Sequence, residues 1–328
     1  MKIEFTKMHG CGNDYVYIDG ERFHIDDDRK PDIVRFISDR HKGVGSDGVI
    51  FINPSDEADY EMDMYNSDGS RSEMCGNGIR CVAKYVYDKG KTDKRTLDII
   101  SHGKIKHIEL GTDRDGITMV KVDMGEPILN PELIPVNISM LDPSYVMYGG
   151  DVQSMTDEAD DADKVDETSK TDSADKADTA GNAKATAVRM FPVTADGAEY
   201  KVTCISMGNP HAIIYVDDTA GTDVDGTGSI LEKHPFFPNR TNVEFVQNID
   251  RTHVKMRVWE RGTGETLACG TGCCALTVAG VLNGLYDRDT DMDIEVRGGH
   301  IIVNYSSDGH VYMTGPAQTV YEGTIGIK

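Results

Sequence analysis

Two cysteines begin two similar glycine-rich turns. Cys75 opens the run Cys-Gly-Asn-Gly, and Cys269 opens the run Cys-Gly-Thr-Gly. Each turn leads into a helical pattern, and the unpaired N–H groups at the start of a helix favour a thiolate and bind anions. The pattern therefore predicts a lowered thiol pKa and a binding place for a carboxylate at each turn. Two such turns facing one carbon could remove a proton from one face and deliver a proton to the other, which is inversion by general acid–base catalysis.

The similarity between the two turns extends along the chain in both directions. The matching pairs are Gly12-Asn13 with Gly208-Asn209, Met64–Asn66 with Val258–Glu260, and Gly103–Ile105 with Gly299–Ile301. We interpret this as one unit of roughly 120 residues used twice, since self-similarity at a fixed spacing indicates a repeated architecture.

The repeat predicts an α+β fold with two pseudosymmetric domains and an active site in the cleft between them. Each domain is expected to be a mostly antiparallel sheet wrapped around a central helix. The first domain is predicted to span residues 1–125 plus a C-terminal strand at about 313–328, and the second to span residues 126–312.

Apolar spacing predicts where the elements lie that must position the cysteines. Helices are predicted at Pro31–Asp39, Gly78–Lys89 and Gly272–Leu282. Strands are predicted at Tyr15–Ile18, Gly48–Ile52, Glu61–Tyr65, Thr96–Ile100, Lys104–Leu110, Thr118–Asp123, Tyr200–Ser206, Ala212–Val216, Val243–Val246, His253–Trp259, Ile294–Val296 and His300–Tyr305.

The segment Asp151–Asn182 differs from the rest of the chain. It carries eleven Asp and Glu against three Lys, which is 3 − 11 = −8, and it has no aromatic residue. Such a composition cannot offset the entropy of ordering, so the segment is predicted to be a solvated, disordered insertion that leaves the chemistry untouched. An acidic interaction arm is the alternative.

Charge and cysteine content exclude several classes of function. The chain carries 34 Lys and Arg against 56 Asp and Glu, a net charge of −22. This argues against a nucleic-acid partner and against an anionic membrane surface, because both rely on clustered cations. The absence of a long apolar run and of an apolar start, together with seven cysteines that form no disulfide framework, predicts a cytoplasmic protein.

Other interpretations of the cysteines remain open at this point. A lone cysteine is most often a small buried apolar residue, which is the expectation for Cys11, Cys81, Cys204, Cys273 and Cys274. Zinc binding by Cys269, Cys273 and Cys274 is disfavoured because paired Cys-x-x-Cys spacing is missing. A redox pair of Cys75 with Cys269 is a further alternative. No metal, nucleotide or pyridoxal motif occurs, so no cofactor and no metal are expected.

At these residues the chain resembles the diaminopimelate epimerase family, and the match covers nearly everything except the acidic insertion. The motifs that carry it are Lys7–Tyr15, Asp39–Gly48, Asn66–Ser70, Met74–Arg80, Ser206–His211, Thr241–Phe245, Trp259–Thr266 and Ala268–Gly272. Proline racemases and the PhzF family look like relatives of the same fold. Racemases of that group usually carry His at the position of Asn77, which disfavours them.

The resemblance implies a small-molecule substrate, LL- or meso-diaminopimelate, epimerised without a cofactor on the route to lysine and peptidoglycan precursors. It implies that Cys75 and Cys269 are the acid/base pair, and that His211 and Glu260 tune which sulfur holds the proton. The implied substrate-binding residues are Asn13, Asn66, Gly76, Asn77, Asn209, Asn242, Glu260, Arg261, Gly270 and Thr271.

Two positions depart from the family pattern. Cys11 stands where many members have an apolar residue or Gly, and Gly48 stands where some carry Gln, so a polar substrate contact is missing or is replaced by backbone. The alternative functions are another isomerase of this fold, acting on a smaller ring or an aromatic acid, and a non-enzymatic acidic interaction protein. The sequence is compatible with a homodimer and does not set the oligomeric state.

Overall fold

The computed structural model describes residues 1–71, 76–112, 114, 116, 118–148 and 185–327. Cys75 and the Asp151–Asn182 insertion lie outside these residues. The helices in the described part are α1 Lys30–Ser38, α2 Gly76–Asp88, α3 Val224–Leu231 and α4 Gly270–Leu282, with short 3-10 turns at Ile138–Met140 and Pro143–Tyr145.

The strands fall into two sets that follow the same order along the chain. The first set is β1 Lys2–Gly10, β2 Asn13–Asp19, β3 Gly48–Asn53, β4 Tyr60–Asn66, β5 Thr96–Ser101, β6 Lys104–Thr112 and β7 Thr118–Asp123. The second set is β8 Val146–Tyr148, β9 Ala185–Ala195, β10 Ala198–Ser206, β11 Pro210–Tyr215, β12 Asn242–Asn248, β13 His253–Glu260, β14 Gly264–Thr266, β15 Asp291–Val296, β16 Gly299–Tyr305, β17 Val311–Pro316 and β18 Gln318–Gly326.

The strand pairing repeats the same pattern twice. In the first half β1 pairs antiparallel with β2, β2 parallel with β3, β3 antiparallel with β4, β4 parallel with β5, and β5, β6 and β7 follow antiparallel. The second half shows the same alternation of antiparallel and parallel pairs, through the strands β10, β11, β12, β13, β15, β16 and β17 in turn. The halves join where β7 pairs with β17. This confirms the predicted pseudosymmetric α+β fold.

Each half wraps its sheet around one 13-residue helix, α2 or α4. α4 is apolar almost all round and nearly every residue is buried, as expected of a helix enclosed by a sheet. Both helices end before a glycine with positive φ, Gly90 at +65° and Gly284 at +71°, a conformation that only glycine adopts without strain. One apolar core runs through both halves and includes residues of both helices.

Several elements differ from those predicted. Both central helices begin two residues earlier, at Gly76 and Gly270, so the glycine pairs of the turns form the first helical turn. Strands β1, β8, β9 and β14 were not predicted, and β17 and β18 were predicted as a single C-terminal strand. Helix α3 was not predicted because it contains two glycines that hide its helical pattern, and it relies on the Asp223 side chain as its N-cap.

The C-terminal strand β18 returns to pair with β1, and β9 takes the corresponding place beside β10. The domain boundaries themselves stay a prediction. Among the described residues, no helix has the length and apolarity required to cross a bilayer.

Candidate active site

The starts of the two central helices meet where the halves join. Asn77, in the first turn of α2, donates from Nδ2 to the carbonyl of Ala268, immediately before Cys269, over 3.5 Å. The Met313 side chain packs against both helix starts, since a Cβ on Gly76 would lie 2.8 Å from its Cε and a Cβ on Gly270 would lie 3.0 Å from its Sδ. The absence of a side chain on either glycine leaves room for Met313, and the two helix starts lie side by side.

Cys269 occupies the N-cap position of α4 with an extended backbone, and its thiol lies 3.5 Å from Thr271 Oγ1. The predicted lowering of its pKa is wrong. Burial raises the pKa of Cys269 well above its usual value, and the Glu260 and Glu244 carboxylates raise it further. The Thr271 hydroxyl and the Gly272 N–H favour the thiolate, but burial and the two carboxylates outweigh them.

His211 and Glu244 form a fully buried pair beside this thiol. His211 Nδ1 and Glu244 Oε1 are 2.6 Å apart, and both side chains have 0% exposure. The other ring nitrogen of His211 lies 3.2 Å from Asn209 Oδ1, and Asn242 Nδ2 lies 3.5 Å from Nδ1. The nitrogen, oxygen and sulfur atoms of His211, Glu244 and Cys269 all lie within 4.8 Å of one another.

Asn242 also shapes the end of β13. Its Oδ1 accepts a hydrogen bond from the Arg261 backbone N–H over 2.8 Å, so one side chain connects His211 with the Glu260-Arg261 turn. Glu260 Oε1 accepts from the Thr266 hydroxyl at 2.5 Å, and burial raises the pKa of the Glu260 carboxyl. The Arg261 side chain is exposed and donates to the carbonyl of Asn239 at 3.3 Å.

The first half contributes a second polar network. Asn13 donates from Nδ2 to Asp47 Oδ2 at 2.8 Å, and its Oδ1 lies 3.4 Å from Asn77 Nδ2. Burial and the neighbouring Asp14 carboxylate raise the pKa of Asp47. Arg80, with 0% exposure, donates to Asn77 Oδ1 at 2.9 Å and so fixes which end of that amide faces Ala268.

The structure thus brings together most of the predicted site residues. The contacts described above connect eleven of them: Asn13, Gly76, Asn77, Asn209, His211, Asn242, Glu260, Arg261, Cys269, Gly270 and Thr271. Asn66 ends β4 and donates to Ser70 Oγ inside its own turn, at 3.1 Å. Cys75 lies outside the described residues, so its pairing with Cys269 stays a prediction.

The two departures from the family pattern have structural reasons. A Cβ on Gly48 would lie 2.0 Å from the Tyr65 carbonyl oxygen, so no side chain fits at this position. Cys11 is buried with a positive φ of 53°, and its thiol donates to the carbonyl of His300 in the other half at 3.6 Å. Burial raises the pKa of the Cys11 thiol. The hydrogen bond to His300 makes Cys11 a contact between the halves.

The other cysteines fit the expectation of buried apolar residues. The six described cysteines are all buried and free. Burial raises the pKa of Cys204 and Cys273 strongly and that of Cys274 to about 12. Within the described residues, the side chains that gather around Cys269 are His211 and Glu244 rather than Cys273 and Cys274, which does not support the zinc interpretation.

Sequence reasoning missed four contributors to the site: Asp47, Arg80, Glu244 and Met313. A signal existed for Glu244, because a carboxylate at the centre of the apolar run Val-Glu-Phe-Val is unusual in a buried strand. Arg80, like Asp47 and Glu244, lies inside one of the family motifs, but nothing in its spacing indicates that the cation is wholly buried. Met313 contacts the site only because β17 crosses to β7.

The family model described as diaminopimelate epimerase matches residues 5–130 and 203–320. Curated relatives carry the same name. The chain is 45% identical to the diaminopimelate epimerase of Acetivibrio thermocellus over 327 residues, covering 99% of each chain. It is 44% identical to that of Leptospira biflexa over 328 residues, covering 100% of both. It is 45% identical to that of Methanococcus maripaludis strain C6, covering 99% of this chain and 100% of the relative.

Solved structures show the same fold at low identity. The PhzF-family phenazine biosynthesis protein of Bacillus anthracis superposes with a TM-score of 0.64 at 15% identity, covering 100% of both chains. A hydroxyproline epimerase from Agrobacterium vitis superposes with a TM-score of 0.62 at 12% identity, covering 99% of this chain and 91% of that one. The predicted relationship of fold is confirmed.

Proposed function

The chain belongs to the diaminopimelate epimerase family, and from this premise we propose that it interconverts LL- and meso-diaminopimelate by proton transfer at one α-carbon. Cys75 and Cys269 are the proposed acid/base pair, and no cofactor takes part. The reaction belongs to the synthesis of lysine and of peptidoglycan precursors. The observation that carries the proposal is the meeting of the two helix starts through Asn77, Ala268 and Met313.

Chain connectivity supports the pairing of the cysteines. Cys75 directly precedes Gly76, and consecutive Cα atoms lie about 3.8 Å apart. Gly76 and Gly270 both lie against Met313, so the residues that follow the two cysteines share one junction. This supports the proposal, since two-sided proton transfer needs both sulfurs near one carbon.

The two helix starts also suit the reacting carboxylate. Removal of the α-proton moves negative charge onto that carboxylate in the transition state, and fixed N–H donors stabilise charge that develops there. We propose that the backbone N–H groups of Gly76-Asn77 and Gly270-Thr271 hold it. The Thr271 hydroxyl lies 3.5 Å from the Cys269 sulfur, and we propose that it aligns this sulfur with the carboxylate.

The distal end of the substrate has its own amino-acid group, which calls for a second set of polar contacts. Asn13, Asn66, Asn209, Asn242 and Arg261 are proposed to bind it, with Glu260 facing the ammonium. The exposed Arg261 guanidinium suits a carboxylate because its planar fork can bind two oxygens. Asn242, which holds the Arg261 backbone, positions this end relative to His211.

Proton transfer with solvent tests the proposal. Pure LL-diaminopimelate is incubated with the protein in D2O, and the products are separated and examined by NMR. We expect meso-diaminopimelate with deuterium at one α-carbon only, because the distal centre is not attacked. Meso product that keeps protium at both α-carbons, or absence of meso product, contradicts the proposal.

Two variants assign the chemistry to the sulfurs. Cys75→Ala and Cys269→Ala should each abolish epimerisation, while Cys204→Ala, which removes a buried thiol of β10, should leave it intact. A Cys269→Ala protein that still epimerises would overturn the acid/base assignment. The same assay with L-proline tests the alternative of a racemase that acts on a ring, for which we expect no deuterium uptake.

Two further assignments accompany this function. We place the protein in the cytoplasm, because its described cysteines are all free thiols, as a reducing compartment would keep them. We propose that the first domain comprises residues 1–125 with the strand at about 313–328, and the second residues 126–312, a division that follows the return of β18 to β1.

A further inference from the structure

The two halves differ at two matching positions beside the cysteine turns. In the second half His211 pairs with Asn242 and Ile213 with Glu244 across β11 and β12. In the first half the same places in β2 and β3 pair Tyr15 with Gly48 and Tyr17 with Ile50. Tyr15 and Ile50 therefore occupy the register positions of His211 and Glu244. The second half therefore has a titratable pair, His211 and Glu244, where the first half has an aromatic and an aliphatic residue.

Glu244 is a fully buried carboxylate with a close histidine partner. Its side chain has 0% exposure, and Oε1 lies 2.6 Å from His211 Nδ1. Among the described residues, Oε2 has no hydrogen-bond partner. The carboxylate also reaches the first turn of α4, because a Cβ on Gly272 would lie 2.7 Å from Oε1. Burying a carboxylate with one oxygen unpaired is costly, which indicates a role other than stabilising the fold.

We propose that Glu244, held in place by His211, is a positioning residue that keeps Cys269 in the thiol form and so makes it the proton donor of the resting enzyme. The proposal rests on the proposed function and deepens it. Neither sulfur chemistry nor substrate binding is assigned to Glu244 itself. It acts through its charge, which lies within 4.8 Å of the Cys269 sulfur.

The charges around Cys269 favour this assignment from several sides. Glu260 on β13 and Glu244 on β12 act on Cys269 directly. Behind them, His211 on β11 and Asp47 before β3 act on Glu260, while Arg80 on α2 acts on Cys273 of α4. Two carboxylates near a buried sulfur oppose ionisation of the thiol, because like charges repel strongly where water is excluded. Glu260 is the other carboxylate, but it is the one proposed above to pair with the substrate ammonium, which leaves Glu244 as the carboxylate dedicated to Cys269.

The proton balance follows directly. The Cys269 S–H bond breaks, its proton forms the new C–H bond on one face of the α-carbon, and the electron pair remains on sulfur. On the other face the α-proton moves to the Cys75 thiolate, which forms an S–H bond. The net charge of the pair is unchanged, and the reverse reaction restores the starting state. Glu244 biases which sulfur holds the proton between turnovers.

Alkylation of Cys269 as a function of pH tests the proposal in the intact protein. Iodoacetamide is reacted for a fixed time at pH 6 to 11, and the Cys269 peptide is quantified by mass spectrometry. Glu244→Gln removes the charge and keeps an oxygen for His211, so the midpoint of labelling should fall by about one pH unit or more, roughly tenfold more thiolate at a given pH. Glu244→Asp keeps the charge and should stay near the wild-type midpoint.

Controls separate a charge effect from a structural one. Asp63→Asn neutralises another buried carboxylate, one that pairs with Lys30 of α1, and should not move the midpoint. If Glu244→Gln fails to fold, as judged by circular dichroism, Glu244→Met serves as the second neutral variant with the same expected shift.

An unchanged midpoint in a folded neutral variant would overturn the proposal, as would an equal shift in the Asp variant. These outcomes do not depend on turnover. A wild-type protein that fails the deuterium assay therefore refutes the proposed function, and an unshifted midpoint refutes the role of Glu244.

Discussion

Replacing Arg80 by Met should separate the stability of the fold from the geometry of the site. Arg80 is wholly buried and donates to Asn77 Oδ1 at 2.9 Å, to the Pro316 carbonyl at 3.2 Å and to the Gly76 carbonyl at 3.3 Å. Each hydrogen bond from a charged donor contributes about 1.5–3 kcal/mol, so the three sum to several kcal/mol. Burying the cation costs a similar amount, since the effective penalty is several kcal/mol per ion.

These opposing magnitudes decide the outcome of Arg80→Met. Methionine fills much of the space without the desolvation cost, so the free energy of unfolding should fall by only about 1–3 kcal/mol. The Asn77 amide, however, loses the partner that turns it toward Ala268, and a displacement of about 1 Å at a reacting centre costs about 100-fold in rate. We expect kcat/KM for LL-diaminopimelate to fall by about that factor while the protein remains folded.

Urea denaturation and epimerase kinetics on the same preparations measure both quantities. Lys84→Met is the matched control, because Lys84 lies one turn further along α2, where it binds Thr118 Oγ1 at 3.2 Å and Asp88 at 2.7 Å. It should leave kcat/KM unchanged. Turnover of Arg80→Met within about threefold of the wild type would refute the reasoning, and so would a loss of activity that only follows the unfolded fraction.

Two further predictions concern packing and the acidic insertion. Gly48→Ala should lower the free energy of unfolding by at least about 2 kcal/mol, because the new Cβ meets the Tyr65 backbone oxygen at 2.0 Å. Gly326→Ala is the control: Gly326 also lies in a strand but has open space around it, so this variant should change the free energy of unfolding little. Equal thermal midpoints of the two variants would contradict this prediction. Tyr148 and Ala185 pair across β8 and β9, so a short Asn-Gly turn can replace the acidic insertion. Epimerase kinetics of that shortened protein should match the wild type, and lost turnover would show that the insertion acts in the reaction.

Much of the fold could be predicted because the chain repeats itself. The glycine-rich turns marked the starts of both central helices, and apolar runs marked most strands between them. The pairing of β7 with β17 and the return of β18 to β1 join segments far apart in sequence, and neither periodicity nor turn residues specify such partners. The exact starts of the helices were missed because glycine lowers helix propensity, whereas here Gly76 and Gly270 lie inside the first helical turns, against Met313.

The candidate site was predictable in its residue types and less so in its electrostatics. Cys269, Asn77 and His211 could be named from motifs, but the pKa of Cys269 was predicted in the wrong direction. A helix start favours a thiolate only while the sulfur remains partly solvated. Burial together with the Glu244 and Glu260 carboxylates reverses the balance, and burial is a property of the assembled fold that the local sequence does not report.

The proposed reaction inverts one carbon with two sulfurs, one protonated and the other ionised. If the halves were identical in charge, the two sulfurs would share the proton equally, and neither would be set as the donor. The protein departs from its repeat at two places that act in the same sense. Arg80 supplies a buried cation on α2 where α4 has Cys274, and Glu244 supplies a buried carboxylate on β12 where β3 has Ile50. The positive side favours an anion near the first helix, and the negative side favours a neutral thiol near the second.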